Sequence, residues 1–372
     1  MTEPVADRLR MTPGPTEVPE PVRQRMAEPT PNPDIEPEFF ERYRALTDKL
    51  ATIHQAEPDG QTEQRADRDV VVLGGEGILG LEAAIASLVD PGDRVLCLSN
   101  GLYGDGFAEF VESNGGEAIV CDVPWDETLD REPVAACLSD ADEPFDVATM
   151  VHCETPTGTL NDLDPILELL DGRGIITVVD AVSSLGGTPV PTERIDVCLG
   201  ASQKCFSAPP GLSTCTISDR AWDRIESVEN DSVYTSLEPW RTAADEEWFP
   251  YTHLSSNLYG LDAAADLLLE EGLESVFDRH DRAADRCRKR AAELGLEPYP
   301  ATAADCSPTV TALAVDGRAG ELQAAVREDH DIVLATGLGA LEDDILRIGH
   351  MGHNARLDRV DRTMDALAAV LD

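Results

Sequence analysis

Lysine is the residue this chain uses least. Only Lys49, Lys204 and Lys289 occur, while arginine supplies 26 of the 29 basic residues. Those 29 are outnumbered by 72 acids, leaving a formal net charge of −43. That balance excludes nucleic acid as a partner, because phosphate binding needs basic patches. No apolar stretch approaches the ~18–20 residues of a bilayer span, and no basic-plus-apolar leader opens the chain. The nine cysteines (97, 121, 137, 153, 198, 205, 215, 287 and 306) contain no C-x-x-C pair and no zinc-type spacing, so neither a metal site nor a disulfide framework is expected. Most lie in apolar runs and read as free thiols, and their odd number suggests a reducing compartment. The expectation is a soluble cytoplasmic protein.

With 42% hydrophobic residues in recurring runs, the chain is not a disordered acidic protein. It reads as a folded core inside an acidic shell whose self-repulsion salt would screen, the pattern of adaptation to a salt-rich cytoplasm. At 372 residues it suits one large domain plus a smaller one. Helical periodicity runs over residues 34–55, and short buried strands are expected at 70–73, 94–98, 117–121, 147–152, 175–180 and 197–200, with helices between most of them. Such alternation predicts a mostly parallel sheet covered on both faces, with a ligand crevice at the strands' C-terminal ends. An apolar-rich helix at 254–269 bridges to a second unit. There a charged helix (275–294), strands at 309–315, 331–334 and 345–348, and a final amphipathic helix (356–370) are expected. The divisions are an extended N-terminal segment (1–20), a large domain (21–265) and a small one (266–372).

Lys204 stands in the segment Ser202-Gln203-Lys204-Cys205-Phe206, just after the apolar run 197–200. Lysine can do what arginine cannot: lose its proton and attack a carbonyl to form an imine. The strand Ile175-Ile176-Thr177-Val178-Val179-Asp180 carries an acid at its C-terminal end, 24 residues earlier. A lysine and an aspartate so placed are the two protein groups that pyridoxal phosphate requires. Gly75-Glu76-Gly77-Ile78-Leu79-Gly80 matches G-x-G-x-x-G between a strand and a helix. The dinucleotide fingerprint also wants an acid ending the next strand, and 95–100 has none. A glycine turn at a helix N-terminus remains a good monophosphate site. No Gly-Lys-Ser/Thr follows, which excludes a Walker loop.

In combination these segments resemble the class V pyridoxal phosphate aminotransferases, in particular the alanine–glyoxylate and serine–glyoxylate (serine–pyruvate) group. The likeness runs from Met11-Thr12-Pro13-Gly14-Pro15-Thr16 to Arg347-Ile348-Gly349-His350-Met351-Gly352. Between them lie Asn100-Gly101-Leu102-Tyr103-Gly104, His152-Cys153-Glu154-Thr155-Pro156-Thr157-Gly158, Val179-Asp180-Ala181-Val182-Ser183-Ser184 and Gly200-Ala201-Ser202-Gln203-Lys204. The resemblance implies a fold-type I α/β transferase, with a mostly parallel sheet in the large domain and a smaller α+β C-terminal domain.

It also implies roles for individual residues. Lys204 holds the cofactor and shuttles the proton, and Asp180 pairs with the pyridine nitrogen. Tyr103 stacks on the ring, Val182 packs its other face, and Thr155 lies near the phenolic oxygen. Gly75, Glu76, Gly77 and Gln203 form the phosphate cup. Glu76 departs from the family's small or hydroxyl residue, so its side chain is expected to turn away from the phosphate. Thr252 and a tyrosine, Tyr251 or a slot occupied by Phe249, would complete the cup of a neighbouring subunit, which makes a homodimer. Arg347 grips the substrate α-carboxylate and Gly14 lines the substrate site. His152 and His350 take packing or hydrogen-bonding roles. The implied reaction moves an amino group from alanine or serine to glyoxylate or pyruvate by ping-pong half-reactions. Aspartate or phosphoserine transamination is the nearest alternative. A cysteine desulfurase is disfavoured because 331–344 holds no cysteine, and a non-catalytic acidic binding protein would not explain Lys204 with Asp180.

Overall fold

The computed structural model describes residues 8–62 and 68–371. Its main sheet has seven strands: β1 (Arg68–Leu73), β2 (Arg94–Ser99), β3 (Glu117–Asp122), β4 (Val147–Val151), β5 (Ile176–Asp180), β6 (Val197–Ala201) and β7 (Ser213–Ser218). The spatial order is β1-β7-β6-β5-β4-β2-β3. Only β7 runs antiparallel to its neighbours, pairing with β1 and β6. The central strands β4, β5 and β6 are buried along their whole length, which is why their sequences are continuous apolar or β-branched runs rather than alternating ones. At the edge, β3 exposes Glu117, Val120 and Asp122.

Strand β7 was not expected from the sequence. Its run Ser-Thr-Cys-Thr-Ile-Ser looks like a polar turn, yet every residue is buried. Thr214 Oγ1 satisfies itself with His54 Nε2 at 3.0 Å, and Ser218 caps the next helix by accepting the Ala221 N–H. Internal partners of this kind make a hydroxyl-rich strand tolerable in a core.

A second core gathers Ala283 and Cys287 of the helix Leu273–Glu293, Leu313, Leu346, Ile348 and the final helix's Val360, Met364 and Leu367. It covers an antiparallel sheet of β8 (Thr311–Ala314), β9 (Ala335–Thr336) and β10 (Ile345–Ile348), ordered β8-β10-β9. The strand expected at 331–334 is divided. Ile332–Val333 pairs in parallel with Leu9–Arg10, and the small sheet receives Ala335–Thr336 instead. Leu9 and Met11 thereby belong to this second core.

From there the chain crosses to the large sheet. The Gly349 N–H donates to Met11 O at 2.7 Å, and the Thr16 N–H to Gln203 O at 3.0 Å. The segment between lies across Lys204. The reading of the cysteines needs one correction: Cys121 and Cys137 form a disulfide with Cα atoms 6.5 Å apart, while the other seven are free. None of the described helices is long and apolar enough to cross a membrane.

Candidate active site

The C-terminal ends of the parallel strands, where α/β sheets bind ligands, open onto a cavity of about 240 Å³. It is lined by residues from six chain segments, among them Gly14, Glu76, Gly77, Tyr103, Thr155, Asp180, Val182, Gln203 and Lys204. Asp180 is the last residue of β5, and Lys204 follows the end of β6 by three residues. The Lys204 ammonium donates to Pro13 O at 2.8 Å. Its side chain passes so close to Gly14 that a Cβ there would lie 2.4 Å from Lys204 Cδ, and Gly14 also adopts φ +103°. Both facts reserve this position for glycine.

Burial and the nearby Arg347 depress the Lys204 pKa, against the pull of Asp180. Burial raises the Asp180 carboxyl to about 6, opposed by the Val182 N–H that it accepts at 2.8 Å and by Lys204. Each shift brings its group nearer to neutral pH, the range in which proton transfer is efficient.

At the glycine turn the structure corrects the expectation for Glu76. Its carboxylate does not turn away but folds back over the N-terminus of the helix Gly77–Leu88, accepting the Ile78 N–H at 3.2 Å. Gln203 Nε2 donates to the same carboxylate at 3.3 Å. The four free N–H groups of a helix start attract any anion, and here the nearest one is a side chain of the protein. Packing is tight at Gly77, where a Cβ would stand 3.1 Å from Val182 Cγ2.

Tyr103 opens the helix Leu102–Ser113. That helix start is fixed by Glu154, a fully buried acid that accepts the Gly104 N–H at 2.7 Å and the Tyr103 N–H at 3.4 Å. Burial raises the Glu154 pKa to about 8; the Gly104 N–H opposes and Asp180 adds to the rise. Gly101 must lack a side chain, because a Cβ would meet Glu154 Cδ at 2.4 Å. Sequence reasoning gave Glu154 no role, although an acid directly after a buried strand, in Glu-Thr-Pro-Thr-Gly, was the available signal. It also passed over Ser183, which lines the cavity and is hydrogen-bonded through its hydroxyl to Thr155.

Arg347 lies on β10 and is 6% exposed. Its Nε donates to Thr336 O at 2.6 Å and its Nη1 to Thr155 O at 3.4 Å. Among the described residues no carboxylate lies within ion-pair distance of it, and burial lowers its pKa to about 10. A surface salt bridge is therefore not its role. His152 and His350 are buried, and burial lowers them to about 4 and about 3. His152 Nδ1 bonds Ser184 Oγ at 2.8 Å, and His350 bonds Thr311 and Pro308 O, so both act as neutral hydrogen-bonding groups.

Besides Arg347, three expected residues lie outside the cavity lining. Gly75 sits in the turn, its carbonyl accepting Ser213 Oγ at 3.2 Å. Tyr251 stacks on Tyr234, and its hydroxyl accepts the Gly74 N–H of its own chain at 2.9 Å. Thr252 donates to Asp34 at 3.0 Å. Phe249 is buried among Phe39, Phe40, Tyr43 and Trp240, which removes it as a donor to another subunit.

The sheet order, the lysine and aspartate at the strand ends and the second core beside them define a fold-type I pyridoxal phosphate-dependent transferase. The family model for aminotransferase class-V matches residues 64–355, and the chain belongs to that family. It is 35% identical over 332 residues to a pyridoxamine–pyruvate transaminase of Mesorhizobium japonicum, covering 87% of this chain and 81% of the relative. It is 32% identical over 313 residues to an alanine–glyoxylate aminotransferase of Oryctolagus cuniculus, covering 81% and 79%. A solved alanine–glyoxylate aminotransferase from Nostoc sp. superposes with a TM-score of 0.92 at 27% identity, covering 100% of this chain and 98% of that one. The chain is thus a class V aminotransferase, and its cofactor is pyridoxal phosphate. Lys204, Asp180, Tyr103 and Val182 provide an amine, an acid and two flat faces that fit the pyridine ring. At the phosphate end the ligand's charge meets the Glu76 carboxylate.

Proposed function

We propose that the protein transfers the amino group of a small neutral amino acid, alanine or serine, to glyoxylate or pyruvate. The observation that carries this reading is Arg347: a buried guanidinium with no acidic partner beside a cavity holding Lys204 and Asp180. Such a cation awaits one carboxylate, which both the donor and the acceptor present. Among the described residues lining the cavity Lys204 is the one cation, so nothing there matches the distal charge of aspartate or phosphoserine. Arg241, a rival candidate, is paired with Glu226 and lies over the Trp222 ring.

Bound pyridoxal phosphate supplies an electron-withdrawing ring that stabilises the charge left when the donor's Cα proton departs. Lys204 Nζ takes and returns that proton, helped by its depressed pKa. Asp180 would hold the ring nitrogen as a carboxylate, and Tyr103 and Val182 would hold the ring between them. Gly14 leaves the space through which the Lys204 side chain swings. The working unit is a homodimer in a salt-rich cytoplasm, with Tyr251 and Thr252 at the subunit boundary. The exposed Val233, Tyr234, Trp248 and Leu254 support such a contact.

A donor-by-acceptor panel in molar salt tests the reading. Alanine or serine with glyoxylate or pyruvate should give the highest kcat/KM, and a preference for aspartate or phosphoserine would refute it. A second reading has pyridoxamine as amino donor, as the name of the Mesorhizobium relative says of that protein; the position of Glu76 favours it.

A further inference from the structure

We propose that the Glu76–Gln203 pair lets this site bind pyridoxal and pyridoxamine without their 5′-phosphate, on a par with the phosphate esters. The inference rests on the reading of the cavity as the cofactor's ring site. A phosphate-binding helix start normally offers unpaired N–H donors to an anion that carries only acceptors. In this chain those donors are largely taken. The Ile78 N–H is given to the Glu76 carboxylate and the Leu79 N–H to the Glu76 main-chain oxygen, which leaves Gly77's.

Two acceptor groups stand at this end of the cavity. One is the Glu76 carboxylate, which already receives Gln203 Nε2 at 3.3 Å. The other is Gln203 Oε1, a buried oxygen with no hydrogen-bond partner, on a residue only 6% exposed that lines the cavity. An orphaned buried acceptor of this kind calls for a donor from a ligand. A phosphate ester, carrying about −1.5 to −2 charges and acceptor oxygens, cannot supply one. The hydroxymethyl group at the same ring position of pyridoxal or pyridoxamine can, since its O–H donates to either oxygen.

Charge points the same way. Among the described residues, the cavity lining holds two acids, Glu76 and Asp180, and one base, Lys204. A phosphate placed at the glycine turn therefore meets the Glu76 carboxylate, and it must displace that carboxylate from the helix start. A neutral hydroxymethyl group meets neither obstacle. A vitamer held without a phosphate anchor also exchanges with solvent more readily.

The test uses the full-length protein in molar potassium chloride, stripped of bound vitamer. It is titrated with pyridoxal and with pyridoxal phosphate by absorbance, and each adduct is fixed with borohydride and mapped to Lys204. In the wild type the two dissociation constants should lie within about tenfold of each other, a difference of ~1.4 kcal/mol. Glu76→Ser and the near-isosteric Glu76→Gln should each shift the ratio toward pyridoxal phosphate by about tenfold or more. A wild-type preference for the phosphate ester beyond tenfold, or a ratio that neither variant moves, overturns this inference and leaves the proposed function standing. Failure of both vitamers to label Lys204 would overturn the two together.

Discussion

Replacing Arg347 with methionine separates a functional cation from a structural one. In the folded chain the guanidinium is desolvated; among the described residues it faces no acid, and its hydrogen-bond partners are two main-chain carbonyls, Thr336 O and Thr155 O. An arginine kept for stability would be paired, because an uncompensated buried charge costs several kcal/mol. Removing it relieves that cost and forfeits two hydrogen bonds worth about 1 kcal/mol each. The folded state should therefore hold its Tm or gain.

Substrate binding moves the opposite way. A hydrogen bond to a carboxylate contributes about 1.5–3 kcal/mol, so loss of a two-point grip removes about 3 kcal/mol or more. That corresponds to roughly a hundredfold rise in KM. Because amino donor and 2-oxo acid present the same carboxylate, both KM values should rise together, and kcat should fall less than kcat/KM. The assay is steady-state kinetics with each substrate varied in turn, beside thermal melts in the same buffer. Unchanged KM values, or a rise confined to one substrate, would refute the assignment. A steep loss of Tm with intact kinetics would make Arg347 a structural residue.

Asp180 should govern capture of the cofactor ring: binding by the vitamer-free protein should weaken as pH falls through about 6, and Asp180→Asn should lower turnover by orders of magnitude with the melt unchanged. Near wild-type turnover in that variant would count against the role. Burial raises the Glu154 carboxyl from its ordinary 4.5 to about 8 in the folded chain. The folded chain thus retains a proton there that the unfolded chain has released, and the associated stability, complete below about 4.5, is lost as pH climbs to 8. Melts from pH 5 to 8.5 should show that decline, Glu154→Gln should flatten it, and identical slopes would exclude Glu154 as the cause. With a formal charge of −43, melting temperature should rise from dilute buffer to molar salt as the Debye length shrinks to ~3 Å; a flat or falling Tm would contradict the halophilic reading.

The sequence made the large sheet legible because most of its strands are buried on both faces and leave uninterrupted apolar runs such as Val178-Val179 and Val197-Cys198-Leu199. Strand β7 escaped notice for the opposite reason: Ser213, Thr214 and Ser218 are satisfied by tertiary partners that sequence periodicity cannot reveal. The division at 331–336 was hidden because it depends on the N-terminal strand at Leu9–Arg10, more than 300 residues away. Lys204 and Asp180 could be singled out by chemistry and spacing alone. Glu154 could not, since its importance lies in two main-chain N–H groups of a helix that begins some 50 residues upstream.

The N-terminal segment explains why the two cores enclose one site. Met11 is anchored in the small core through Gly349, and Thr16 is tied to Gln203 and Lys204 by its N–H and hydroxyl. The residues between them, Thr12 to Pro15, have no core of their own and span the gap, with Pro13 O on the Lys204 ammonium. The same stretch thus ties the small core, whose sheet carries Arg347 on β10, to the turn that carries Lys204. Arg347 and Lys204 are thereby linked through one short stretch of chain. The Lys204–Pro13 hydrogen bond must also break before the amine can reach a ligand, so the main-chain contact that orders the unliganded site is one that the ligand replaces.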